Sequence, residues 1–175
     1  ALSQLVQQYP QLNLLLVSKP QEAGETEQLI KCLNLSKHIQ FVHGVSTEAL
    51  VRHYAESSIA VVPSVYEGFG LPAGEAMACA VPIVSTNGGA LPEVVGDAGI
   101  TVATKDPAAL AAAIEEFLLD EDARKRFGKL GRKRIEENLG KKRGKRWGNV
   151  SKNWSNPSFP RSVKLARDLF LLHPT

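Results

Sequence analysis

The chain has 175 residues, 43% hydrophobic and 22% charged, with a formal net charge of +3, which fits about one globular domain and excludes disordered, collagen-like and coiled-coil chains. Its apolar runs are far shorter than the ~20 residues a membrane-spanning helix needs, and no basic start followed by an apolar stretch marks a signal peptide. The basic excess sits in the tail: residues 1–140 hold 12 Lys and Arg against 17 Asp and Glu, whereas residues 141–175 hold 9 against one Asp.

Residues 2–8 read as the end of a helix, stopped near Pro10. Residues 12–17 (LNLLLV) form an apolar run of strand length, and residues 25–33 carry helical spacing. Residues 39–43 (IQFVH) read as a strand. Ser46 or Thr47 caps a helix over 48–56, with Leu50, Val51 and Tyr54 on one face. Residues 59–62 are apolar at every position, as in a strand buried on both faces. A loop leads to a short helix over 72–79, a strand over 81–85, a glycine-bearing loop over 86–90, one helical turn over 92–95 and a strand over 99–103. Asp106 and Pro107 supply an N-cap and a first-turn proline for a helix to Leu119, and Asp120 opens a last amphipathic helix to about Asn138. This alternation predicts right-handed βαβ units, and hence an α/β fold with a Rossmann-like, doubly wound parallel sheet. It stops after residue 140.

Ligands of open α/β sheets sit beyond the carboxyl ends of the strands. The end richest in chemistry is the run from Pro63 to Glu75, PSVYEGFGLPAGE. Gly68 and Gly70 let backbone approach a ligand and permit positive φ. Pro72 suits the first turn of a helix, so the N–H groups of residues 69–73 are expected to face outward as an anion site. Glu75 is placed in that first turn and Glu67 in the loop before it. A pair of carboxylates beside an anion site suits a ligand that also offers hydroxyls, such as a sugar or a ribose. Taken alone, the same residues also fit a plain strand-to-helix turn, with Glu75 complementing the helix dipole and Glu67 solvated. No dinucleotide fingerprint, P-loop, zinc-protease or nucleophile-elbow motif occurs. His38, His43, His53 and His173 have no ligand spacing, and Cys32 and Cys79 argue against both a disulfide framework and a zinc site. A reducing cytoplasm is the default location.

The stretch 61–99 (VVPSVYEGFGLPAGEAMACAVPIVSTNGGALPEVVGDAG) resembles the C-terminal domain of retaining, two-domain GT-B glycosyltransferases of the group 1 type. The matching pieces are EGFGLP, EAMAC, VPIV and GGxxPEV, and the likeness runs from about residue 1 to 138. It implies that Glu75 binds the ribose hydroxyls of a nucleotide-diphosphate sugar. It implies that Glu67 sits by the transferred sugar as the catalytic glutamate of the E-x7-E arrangement. Gly68, Phe69, Gly70 and Leu71 would supply the donor-binding loop and its backbone N–H groups, and Val45 would line the base pocket. Gly88 and Gly89 would form a neighbouring loop that shapes the cleft. The resemblance implies no metal and no cofactor beyond the donor itself. Gly74 departs from the family in lacking a bulky aliphatic side chain. Ala80 departs in standing where a glycine usually ends the helix.

The resemblance also implies a partner, an acceptor-binding N-terminal domain, to which nothing here corresponds. Residues 1–138 are therefore read as a partial donor-binding domain whose first, central strand is missing. The sheet is expected to be weakened and the isolated chain inactive. The alternative reading is a non-catalytic relic or weak nucleotide-binding module. Residues 139–175 do not match the family. A frameshift near residue 139 accounts for this for suitable codons, since a one-base shift turns LGKKRG into WEKSA. The tail is otherwise read as disordered, with nucleic acid not expected as a partner. The alternative is that residues 141–146, with Trp147 and Trp154, bind phosphates of nucleic acid or make a peripheral contact with an anionic membrane.

Overall fold

A computed structural model describes residues 1–19, 24–139 and 169–173. The elements follow in chain order as α1 (Leu2–Gln8), β1 (Asn13–Val17), α2 (Glu25–Cys32), β2 (Ile39–Val42), α3 (Thr47–Glu56), β3 (Ile59–Val62), α4 (Leu71–Ala78), β4 (Ile83–Thr86), α5 (Leu91–Val95), β5 (Ile100–Val102), α6 (Pro107–Leu119), α7 (Glu121–Arg134) and β6 (Leu169–His173). A 3-10 turn over Ser36–His38 precedes β2, and α7 passes into a π-helical turn over Ile135–Leu139.

The sheet order is β2-β1-β6-β3-β4-β5. β1 pairs parallel with β2, and β3, β4 and β5 pair parallel in turn. β6 lies between β1 and β3 and is antiparallel to both, so the first five strands all point one way. Without β6, the order matches a doubly wound sheet that lacks its central strand. The structure differs from expectation in what fills that place. Five residues of the tail take the slot in the opposite direction, and Leu172 there is buried. The rest of the tail, residues 140–168 and 174–175, lies outside the described residues, as do most of the residues on which the disorder and membrane-contact expectations rested.

Helices cover both faces, because alternate strand residues point to opposite sides. Leu15, Val17, Ala60, Val62 and Ile83 pack against Leu50 and Tyr54 of α3, Ala73, Ala76 and Met77 of α4, and Leu91, Val94 and Val95 of α5. Leu14, Leu16, Ile59, Val61 and Val84 pack against Leu5 of α1 and Ala111, Ala113, Ile114 and Phe117 of α6. The caps read from the sequence are formed: Ser46 Oγ accepts from Ala49 N, Asp106 Oδ1 from Ala109 N and Asp120 Oδ1 from Ala123 N. His38 is buried, with Nδ1 3.0 Å from the Leu12 carbonyl, so its role is structural.

α7 leaves α6 at Asp120 and packs onto α4. Two glycines permit the approach. A Cβ on Gly128 would lie 2.2 Å from the Ala80 carbonyl oxygen, and one on Gly131 would lie 3.2 Å from Met77 Cγ. Farther along α7, Arg134 caps the end of α5. Its Nε donates to Val94 O and its Nη2 to Glu93 O, both at 2.9 Å. Its ion pair with Asp97, 95% exposed, adds little by comparison.

Candidate donor site

Three loops gather at the carboxyl end of the parallel strands. Residues 43–46 follow β2, residues 63–70 follow β3 and residues 87–90 follow β4. Val45, Glu67, Gly68, Phe69, Gly70, Leu71, Gly88 and Gly89 therefore share one end of the sheet. Val45 is half-buried and packs on the core from the β2 loop. Val65, Tyr66 and Phe69 are exposed around Glu67.

The β3 and β4 loops touch through backbone. Ala90 N donates to Glu67 O at 2.8 Å, and the Thr86 hydroxyl donates to Ser64 O. Gly88 and Gly89 are needed for this contact. A Cβ on Gly88 would meet Ser64 O at 2.5 Å, and one on Gly89 would meet Glu67 O at 2.2 Å. The loop that the family resemblance set beside the cleft thus packs against the Glu67 segment.

Gly70 is the N-cap of α4, at φ 68° and ψ 30°. An L side chain is strained there, and a Cβ would also sit 2.8 Å from Val94 Cγ2 of α5. Pro72 follows in the first turn, as expected.

Two details of the sequence reading need correction. Glu75 is not in the first turn, because α4 begins at Leu71 and its first turn holds no acidic residue. Dipole complementation therefore does not explain it. Nor are the N–H groups at the helix start all turned outward to a ligand. The Glu67 carboxylate folds back over them, and Oε1 accepts from Phe69 N at 3.3 Å and from Gly70 N at 3.1 Å. A carboxylate already rests at the turn that was read as an anion site.

Glu75 is half-buried on α4. Tyr54 Oη, reaching across from α3, donates to Glu75 Oε2 at 3.1 Å and lies 3.5 Å from Pro72 O. The Tyr54 side chain is fully buried. Burial first, and then the charge of Glu75 and its hydrogen bond, raise the Tyr54 hydroxyl well above the ordinary tyrosine value of 10.0, so it stays a donor. Sequence reading placed Tyr54 on one face of α3 with Leu50 and Val51, of which Val51 is exposed, and missed this contact. The residue type was the one available signal, since a phenol among core positions needs a polar partner.

Among the described residues, no group of three or more His, Cys, Asp or Glu is placed to hold a metal ion. No helix of theirs is long and apolar enough to cross a membrane. A cavity of about 370 Å³ lies at the opposite, amino-terminal ends of β1 and β2, lined by Asn13, Lys37, Gln40 and Glu56 among others. It shares no residue with the three loops.

The sequence pattern of the glycosyl transferases group 1 family matches residues 1–134. The chain belongs to that family. It is 41% identical over 129 residues to an MMP alpha-(1->4)-mannosyltransferase of Mycolicibacterium hassiacum, covering 72% of this chain and 31% of that protein. Among solved structures it is similar to the sucrose-phosphate synthase of Thermosynechococcus elongatus, at 37% identity and a TM-score of 0.66, covering 76% of this chain and 36% of that one. It is also similar to the C-terminal domain of a group 1 family glycosyl transferase from Francisella tularensis, at 32% identity and a TM-score of 0.56, covering 63% and 58% of the two chains. This group 1 chain spans about a third of the length of the curated relatives it matches. Its α/β sheet is that of one half of a GT-B fold.

Proposed function

We propose that this group 1 chain is the donor-binding half of a retaining glycosyltransferase, one that moves a hexosyl group from a nucleoside diphosphate to an acceptor hydroxyl. The observation that carries the reading is the pair of glutamates at one end of the sheet. Glu67 lies in the loop before α4, and Glu75 lies on α4 behind it, held by a buried tyrosine. In this reading the Glu75 carboxylate accepts from the ribose hydroxyls. Val45 borders the base. Phe69, Gly70 and Leu71 offer backbone N–H groups to the diphosphate, with Gly68 and Gly70 keeping side chains out of the way. Gly88 and Gly89 hold the loop against α5.

The chemistry follows from where charge develops. As the sugar–phosphate bond breaks, negative charge grows on the leaving diphosphate and positive charge on the sugar. Donors at the start of α4 stabilise the first by preorganised electrostatics. A carboxylate in the position of Glu67 stabilises the second. The donor phosphate has to share or take over the N–H groups that Glu67 now occupies, and the displaced carboxylate is then free to turn toward the sugar. No metal has a part in this scheme. Transfer is assigned to a protein that also supplies an acceptor-binding domain, so this chain alone is expected to show no donor-dependent transfer or hydrolysis above background.

The test is calorimetric titration of the chain with UDP, GDP and ADP. Binding of one of them, weakened about tenfold or more by Glu75→Ala, supports the donor site at the scale of a hydrogen bond to a charged group. A folded chain that binds none of the three favours the relic reading instead.

A further inference from the structure

Among the described residues, Tyr54 is the one fully buried ionisable side chain that touches a candidate site residue. Its side chain belongs to the same buried core cluster as Leu50 of α3 and Ala73, Ala76 and Met77 of α4. Its hydroxyl could have been satisfied by the Pro72 carbonyl, 3.5 Å away, yet it lies closer to Glu75 Oε2 at 3.1 Å. A hydroxyl has one proton to give, and a carboxylate is the stronger acceptor. A half-buried glutamate on a helix can reach several rotamers, only some of which face the cleft, and a bond to a hydroxyl fixed in the core selects among them.

We infer that Tyr54 is a positioning residue: its hydroxyl, fixed by the core, holds the Glu75 carboxylate in the one orientation that takes the ribose hydroxyls of a nucleoside diphosphate. The inference rests on the donor-site reading above and adds to it the group that sets the geometry. It links α3, which touches no ligand in that reading, to the specificity of the site for ribose over deoxyribose.

The experiment titrates the whole chain, Tyr54→Phe and Glu75→Gln with whichever of UDP, GDP and ADP binds, and with its 2′,3′-dideoxy counterpart. Tyr54→Phe is expected to weaken the ribonucleotide about tenfold, the scale of one charge-assisted hydrogen bond, and to leave the dideoxynucleotide unchanged. Glu75→Gln should show the same selective loss, and the double variant should lose no more than Glu75→Gln alone. An equal loss for both nucleotides marks a packing defect and overturns the role of Tyr54, as do no loss and fully additive losses. Should Tyr54→Phe fail to fold, the carboxyl carbon-13 signal of Glu75 and the ring signals of Tyr54 in the parent chain are followed instead. Both must move when the ribonucleotide binds and stay when the dideoxynucleotide does; a Tyr54 signal indifferent to the ribonucleotide overturns the inference. Binding that Glu75→Gln weakens and Tyr54→Phe does not removes Tyr54 alone. A folded parent chain that binds none of the nucleotides removes the donor site and the role of Tyr54 together.

Discussion

Ala80 ends α4 at φ 59°, in the left-handed region. Its N–H donates to Met77 O and that of Val81 to Ala76 O, each at 3.0 Å, the two bonds of a Schellman turn, where glycine is favoured. An L side chain pays about 1–2 kcal/mol for that conformation, and glycine gives back part of the gain through a more flexible unfolded chain. Ala80→Gly is therefore expected to stabilise the fold by about 1 kcal/mol, read as a higher urea midpoint at unchanged slope. An unchanged midpoint would mean that the turn is held by its packing against α7 and stores no strain. The same expectation was legible in the sequence, because EAMACA ends a short helix with alanine where related turns use glycine.

Between elements, the controlling contact is α7 on α4. Helix propensity alone favours alanine over Gly128 by about 1 kcal/mol. The structure reverses that preference, since the added Cβ would lie 2.2 Å from the Ala80 carbonyl oxygen, a backbone atom that cannot turn aside. Overpacking of this kind costs about 1–3 kcal/mol or more. Gly128→Ala should therefore lower the thermal midpoint, and a rise would show that α7 does not lie so close. A similar logic runs from Arg134 through α5 to Glu67. The guanidinium caps one end of α5, and the other end carries the Gly88–Gly89 loop and the Ala90 N–H that holds the Glu67 carbonyl. Glu67 is thus linked through α5 to Arg134, more than sixty positions away in the chain.

The whole molecule depends on β6. Its residues pair with β1 over five positions and with β3 over three. Without it, the inner edges of β1 and β3 would lose their ladder partners amid the core, at about 1–3 kcal/mol for each group left unpaired in a buried place. A domain of this size has about 5–15 kcal/mol of stability in all, so the groups orphaned along both edges together offset most or all of it. A chain ending at residue 168 is expected to lose its cooperative thermal transition and to bind a hydrophobic dye. Retention of the parent midpoint would show that the slot closes without β6. LFLLH has the apolar character a central strand needs.

The order of strands and helices, the three N-caps, the absence of a dinucleotide fingerprint, and the setting of Glu67 in the loop before α4 with Glu75 on that helix were all readable from residues 1–138. These features rest on local physics: hydrophobic period, capping side chains, and glycine and proline at turns. Tertiary structure alone decided that Glu67 rests on the N–H groups of its own turn, that Glu75 lies in the second turn against Tyr54, and that Arg134 anchors α5. It alone showed Leu169–His173 in the gap at the centre of the sheet. Each of these joins residues far apart in the chain or turns on a one-residue shift of a helix start, and a pattern of residue types carries neither the distance nor the direction of a side chain.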